Sequence, residues 1–158
     1  MISNIKKLDC KNNLVFFFKI FALSIITNLI TGIVYHHYSI ELVNPVTKFN
    51  KFVLWISALF FAPILETLLY QVLIYYMIFF ILKKYSLKTK SIVYLCLASL
   101  LFAASHNYSV WYIIATILPG LLLTYVFLHL QLQYSNFKIS FFYTCLFHFL
   151  NNLFALLF

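Results

Sequence analysis

Five long apolar runs, separated by short polar stretches, organise this chain. Residues 1–13 are polar and carry Lys6, Lys7 and Lys11. The first run extends from Leu14 to Tyr35, longer than a signal-peptide core and without a small-x-small cleavage site, so it reads as a retained helix. Ser24, Thr27, Asn28 and Thr31 recur within it at helical spacing and form one polar stripe of the kind that packs against another helix. Lys19 lies near its start, within snorkelling reach of the interface. The stretch His36–Lys51 is mixed in character, contains Pro45, and reads as a loop.

A second run follows from Phe52 to Leu82. At ~1.5 Å per residue it would measure roughly 46 Å as a straight helix, more than the ~30 Å hydrocarbon layer. It must therefore tilt, kink at Pro63, or begin as a partly re-entrant segment. A basic loop with Lys83, Lys84, Lys88 and Lys90 separates it from a third helix, Ser91–His106. A fourth helix spans Val110–Leu132, with an interruption expected at Pro119-Gly120. After a polar gap ending at Lys138, the last helix runs from Ile139 to the C-terminus. The expected fold class is all-α: a polytopic transmembrane bundle of five segments.

Composition supports this reading. Apolar residues make up 65% of the 158 positions, and only 9% are charged, too few to solvate a globular surface. The 31 Phe and Tyr residues suit lipid-facing surfaces and interfacial belts. The net charge of +8 comes from eleven lysines with no arginine, and these sit between apolar runs, as the positive-inside rule requires. Membrane orientation accounts for them, and a nucleic-acid partner is not expected. With a cytoplasmic N-terminus, Lys6, Lys7, Lys11, Lys19, Lys83, Lys84, Lys88, Lys90 and Lys138 lie inside, and only Lys48 and Lys51 outside. Cys10, Cys96 and Cys145 have neither the number nor the spacing of a disulfide framework and read as small packing residues.

Glu66 stands out because it is a carboxyl in the middle of an apolar run, costly at that depth and therefore a functional candidate. The structural alternative is a carboxyl that only hydrogen-bonds two helices together. His106 closes the third helix. His148 and Asn152 lie four apart, share one helix face, and must point into the bundle. Counted from the cytoplasmic helix ends at ~1.5 Å per residue, Glu66, His106, His148 and Asn152 lie at depths of roughly 24, 22, 13 and 20 Å, within one layer. His36 and His37, in the loop, and His129, near an interface, read as sites without a chemical role.

Three stretches then stand in order: Ala62-Pro-Ile-Leu-Glu66-Thr67-Leu-Leu-Tyr70-Gln71, Phe102-Ala-Ala-Ser-His106 and His148-Phe-Leu-Asn-Asn152. They resemble the CAAX-processing and bacteriocin-processing intramembrane protease family, the glutamic-type enzymes of the Abi group. That family's pattern has a proline before Glu-Glu-x-x-x-Arg, then Phe-x-x-x-His, a glycine (here Gly120), and His-x-x-x-Asn. The resemblance covers about Phe52 to Phe158, and divides the chain into an N-terminal tail, first helix and loop (1–51) and a protease-like core (52–158).

The resemblance implies an intramembrane endopeptidase acting on a membrane-associated or lipidated peptide, as an integral protein of a bacterial inner membrane with lipid around it. Glu66 would be the general base, His106 would hold and polarise the water, and His148 and Asn152 would be oxyanion donors. Phe102, Thr67 and Gln71 would be supporting residues. Two positions depart from the pattern. The second glutamate is Thr67 and the arginine is Gln71, which on an α-helix would form a neutral hydrogen-bonded pair in place of an ion pair.

Other proteolytic chemistries fit less well. The only aspartate is Asp9, there is no His-Glu-x-x-His helix, and no Gly-x-Ser nucleophile occurs. No cofactor is expected, and zinc on Glu66, His106 and His148 is the minor alternative. The competing functions are a non-catalytic bacteriocin-immunity or scaffold protein of the same fold, and a proton-coupled carrier, for which five helices without inverted repeats are few.

The lysine distribution predicts that the Lys83–Lys90 loop is cytoplasmic and the His36–Lys51 stretch lies on the opposite face. Single cysteines introduced into each, probed with a membrane-impermeant thiol reagent, should label from opposite sides. Labelling from the same side would overturn the five-crossing topology.

Overall fold

The computed structural model describes residues 10–39 and 50–157. They contain five helices long and apolar enough to cross a membrane, and no strand. These are α1 (Cys10–His37), α2 (Lys51–Ile81), α3 (Leu87–Ser105), α4 (Val110–Tyr134) and α5 (Phe137–Leu157). The all-α bundle expected from the sequence is thus the fold. Of the stretch read as a loop, only its two ends are described, and Pro45 and Lys48 lie outside the described residues.

Polar side chains fix where the helices begin. Asn50 accepts from the Phe52 amide, Ser86 from Thr89, Ser109 from Tyr112, and Asn136 from Lys138 and Ile139. Each satisfies amides that a helix leaves orphaned at its first turn. The Ser86 cap starts α3 at Leu87 rather than Ser91, and Asn136 starts α5 at Phe137 rather than Ile139. His36 and His37, expected in a loop, form the last turn of α1, because the helical hydrogen bonding runs on to Tyr38, whose amide bonds Val34 O at 3.0 Å.

α2 changes its winding along its length. Two π-helical stretches, Ser57–Phe61 and Thr67–Leu73, flank the short α-helical piece Ala62–Glu66 that carries Pro63. Within the first, the Ala62 amide reaches back five residues to Ser57 O. The next bond of that series would run from residue 63 to Ala58 O, but proline has no N–H. The Ala58 carbonyl is therefore left to another donor, and Asn152 Nδ2 of α5 supplies it at 2.7 Å. The Pro63 carbonyl in turn accepts from Cys145 Sγ of α5 at 3.4 Å. Backbone groups released inside a membrane must be satisfied within the protein. Here the same two bonds fasten α5 along α2.

The interruption expected in α4 at Pro119-Gly120 is absent, and α4 is one continuous helix. Membrane helices tolerate proline when local hydroxyls and neighbouring helices take up the loose backbone groups. Thr116 bonds the Tyr112 and Ile113 carbonyls and Thr124 the Gly120 carbonyl, so these hydroxyls stay within α4 on either side of Pro119 without taking up the Ala115 carbonyl that the proline deprives of its donor. Gly120 serves contact rather than flexibility. A Cβ built there would stand 2.7 Å from Phe102 Cδ1 and 3.2 Å from Ser99 O of α3. The bare backbone thus lets α3 and α4 approach closely, the usual use of glycine between membrane helices.

Two apolar clusters fill the interior. One gathers Val72, Tyr75, Ile78, Tyr94, Ala98 and Phe127 from α2, α3 and α4. The other gathers Phe102, Leu123, Val126 and Phe147, with Phe17 and Phe21 of α1 packed against it. Most of α1 faces outward, with Leu23, Ile26, Ile30 and Ile33 exposed to what would be lipid. Its polar stripe turns inward: Ser24 is fully buried, and Thr27, Asn28 and Thr31 are partly buried. Stacking of Phe16 on His129 and packing of Tyr94 on Phe127 bring the N-terminal end of α1, the Lys83–Lys90 segment and the α4–α5 turn to one end of the bundle.

Gly120→Ala should lower stability by about 1–3 kcal/mol through overpacking against Phe102. Gly32→Ala, where nothing lies within 4 Å of the added Cβ, should be neutral or mildly stabilising. Thermal denaturation of both variants in detergent checks the contrast.

Candidate active site

Three helices bring three ionisable side chains to one point. Glu66 ends the α-helical piece that follows Pro63, in the middle of α2. His106 caps the C-terminus of α3, and His148 sits midway along α5. Glu66 Oε2 lies 3.6 Å from His148 Nε2 and 3.9 Å from His106 Nε2. The side chains of Glu66 and His106 keep 25% and 18% of their surface exposed, whereas His148 keeps 4%, and Glu66 Oε2 itself is buried with no hydrogen-bond partner among the described residues.

The His106 ring is oriented by its other nitrogen. Nδ1 lies 2.8 Å from the Phe102 carbonyl, and a carbonyl only accepts, so Nδ1 carries the proton. In the neutral ring, Nε2 is then a bare acceptor aimed at Glu66. The ring is also flanked by Phe102 at 4.6 Å and lies parallel to Tyr112 at 6.1 Å. Phe102 reaches edge-on to His148 at 5.8 Å and to Tyr70 at 5.8 Å. It therefore packs against both imidazoles and against the bare backbone of Gly120. Nδ1 of His148 is buried and has no hydrogen-bond partner among the described residues.

Asn152 follows His148 by one turn of α5, on the same face, and its amide is committed in part to the Ala58 carbonyl. Its observed task is to seal the backbone opened by Pro63. One amide hydrogen remains for other work, since an NH₂ group carries two.

The expected Thr67–Gln71 hydrogen bond does not form. Both side chains are fully buried, and Thr67 Oγ1 and both Gln71 amide atoms lack a hydrogen-bond partner among the described residues. The α-helical i,i+4 geometry behind that expectation does not apply, because Thr67–Leu73 is wound as a π-helix. The Thr67 hydroxyl instead lies beside the Cys145 thiol. Gln71 is fixed through its backbone, whose carbonyl accepts from Tyr94 Oη at 2.9 Å.

Other residues of the site were not singled out by motif. Cys145 and Asn151 lie three residues on either side of His148, and Tyr112 stacks on His106 from the first turn of α4. The i,i+3 spacing around His148 was visible in the sequence and would have found the first two. Tyr112 could be found only through the fold. His129 stacks on Phe16 at 3.9 Å, and His37 packs edge-on to Tyr38, both away from Glu66. Among the described residues, no group of three or more His, Cys, Asp or Glu side chains is arranged to hold a metal ion.

No curated protein and no solved structure matches the chain. A family model does, over residues 48–154, and its description is type II CAAX prenyl endopeptidase Rce1-like. That span includes Glu66, His106, His148 and Asn152 and most of the chain. The chain belongs to the Rce1-like family of type II CAAX prenyl endopeptidases, and is an integral membrane protein of that protease family.

Proposed function

We propose that this protein is an intramembrane endopeptidase in which Glu66 activates a water against a peptide bond of a membrane-associated or lipidated peptide. The observation that carries this reading is the single carboxylate oxygen held between two imidazole Nε2 atoms at 3.6 and 3.9 Å. Both separations exceed a direct hydrogen bond, and at such distances a bridging water is the natural partner. An ionised Glu66 and the bare Nε2 of neutral His106 are both acceptors. One water can donate a hydrogen to each, which leaves its lone pair free for attack. As the water adds to the carbonyl carbon, its proton passes to Glu66.

The developing oxyanion needs donors placed where the charge appears. His148 Nε2–H and the remaining amide hydrogen of Asn152 are the candidates. Proton return from Glu66 to the departing amine completes the cycle. No metal or organic cofactor is required by this sequence of steps. The lysine-rich end of the bundle faces the cytoplasm in this reading, with the N-terminus on that side.

Glu66→Gln keeps the size of the side chain but removes the basic oxygen. Hydrolysis of a responsive peptide by the purified protein should fall by about 10²–10⁴-fold, with the thermal midpoint kept or raised, because a neutral amide is cheaper to bury than a carboxylate. Equal activity in Glu66→Gln and wild type would sink the proteolytic reading and favour a scaffold or immunity role.

Thr67→Val tests whether that position takes part in the chemistry. The hydroxyl is buried without a hydrogen-bond partner, so its replacement by a methyl of the same shape should leave kcat unchanged and stability equal or slightly higher. A large loss of kcat would show that the hydroxyl binds substrate or water during turnover.

A further inference from the structure

α1 stands outside the residues that match the family, yet it reaches both segments that carry the histidines. Near its middle, the fully buried Ser24 donates through Oγ to Asn151 Oδ1. Asn151 in turn donates through Nδ2 to the Phe147 carbonyl at 2.8 Å, so the bond from α1 ends on the turn of α5 that bears His148 and Asn152. The rings of Phe17 and Phe21 meet Phe147 edge-on at 5.7 and 6.2 Å and hold the residue beside His148.

At the other end of α1, the buried Tyr35 donates through Oη to the Trp111 carbonyl at 2.9 Å. The next residue, Tyr112, lies parallel to the His106 ring. Among the described side chains of α1, Tyr35 and Ser24 are the buried ones, while Leu23, Ile26, Ile30 and Ile33 face outward. A polar contact between membrane helices has no competing water, and it fixes rotation and register where apolar packing alone lets helices slide.

We propose that α1 is a positioning strap for the candidate active site: Ser24, through Asn151, sets the rotation of the α5 turn that carries His148, and Tyr35, through Trp111, sets the α4 turn that stacks Tyr112 on His106. Neither residue touches the reacting atoms, so both act as positioning residues. The strap rests on the proteolytic reading only for its effect on turnover. Its effect on the imidazoles is independent of any activity.

The test uses the full chain in detergent with ¹⁵N-labelled histidine. Ser24→Ala and Tyr35→Phe each delete one donor, Ser24→Thr keeps it, and Ile30→Ala on the outward face of α1 is the control. Ser24→Ala should move the His148 imidazole resonances, Tyr35→Phe those of His106, and the control neither. With a cleavable peptide, Ser24→Ala should lower kcat by about 10-fold or more with KM unchanged, as small misplacements of catalytic groups do. Ser24→Thr should keep the wild-type value. Unmoved His148 signals in Ser24→Ala together with unmoved His106 signals in Tyr35→Phe, or equal damage in Ser24→Thr and Ser24→Ala, would overturn the strap. If Ser24→Ala does not fold, Tyr35→Phe and its His106 signals decide alone. If wild type and Glu66→Gln are equally inactive, the proteolytic reading fails, while the resonances still decide the strap.

Discussion

A proline in the middle of a spanning helix removes a donor where no water can replace it, and much of this bundle follows from that loss. Pro63 leaves the Ala58 carbonyl without its helical partner, and Asn152 fills the gap from α5. Cys145, two turns earlier on α5, binds the carbonyl of Pro63 itself. Between these two attachments lies His148, which the same fastening carries to Glu66. The requirement that every backbone group in lipid be satisfied thus does more than close a gap in one helix. It sets the register of α5 on α2, and with it the spacing of the ionisable groups.

The second histidine arrives by a different route. His106 lies at the end of α3, where its ring turns back onto the Phe102 carbonyl one turn earlier. Phe102 can pack against both imidazoles because Gly120 has no side chain to displace it. A glycine on α4, an aromatic ring and a histidine on α3, and a carboxylate on α2 therefore form one chain of contacts. Uniform aliphatic packing would bury the same surface without fixing a tautomer. The carbonyl contact at Nδ1 does fix it, and presents a bare nitrogen to Glu66.

The Thr67–Gln71 position shows how winding governs chemistry. On an α-helix these residues would be partners, and the pair would substitute a hydrogen bond for an ion pair. In the π-helical stretch they are both buried, and neither side chain finds a hydrogen-bond partner among the described residues. Wide turns of this kind recur at functional sites, where a side chain must be re-aimed without breaking the helix. Here two such stretches flank the piece that presents Glu66.

The amino-acid sequence by itself determined the solvent of this protein, the five membrane-length helices among the described residues and the identity of the ionisable groups that meet inside the bundle. Those properties are one-dimensional: run length fixes the span, and a charge inside a run is recognised by its neighbours. It also determined that Ser24, Thr27, Asn28 and Thr31 share an inward stripe, since period and face follow from helical geometry. Only the tertiary structure decided that α4 passes Pro119 unbroken, because whether a membrane helix continues past a proline depends on its packing context. The same holds for Thr67 and Gln71, whose relation changed with the winding, and for Asn152, whose amide was claimed by a carbonyl 94 residues away. A hydrogen bond depends on tenths of an ångström and on the choice of partner, and neither quantity is written in spacing along the chain.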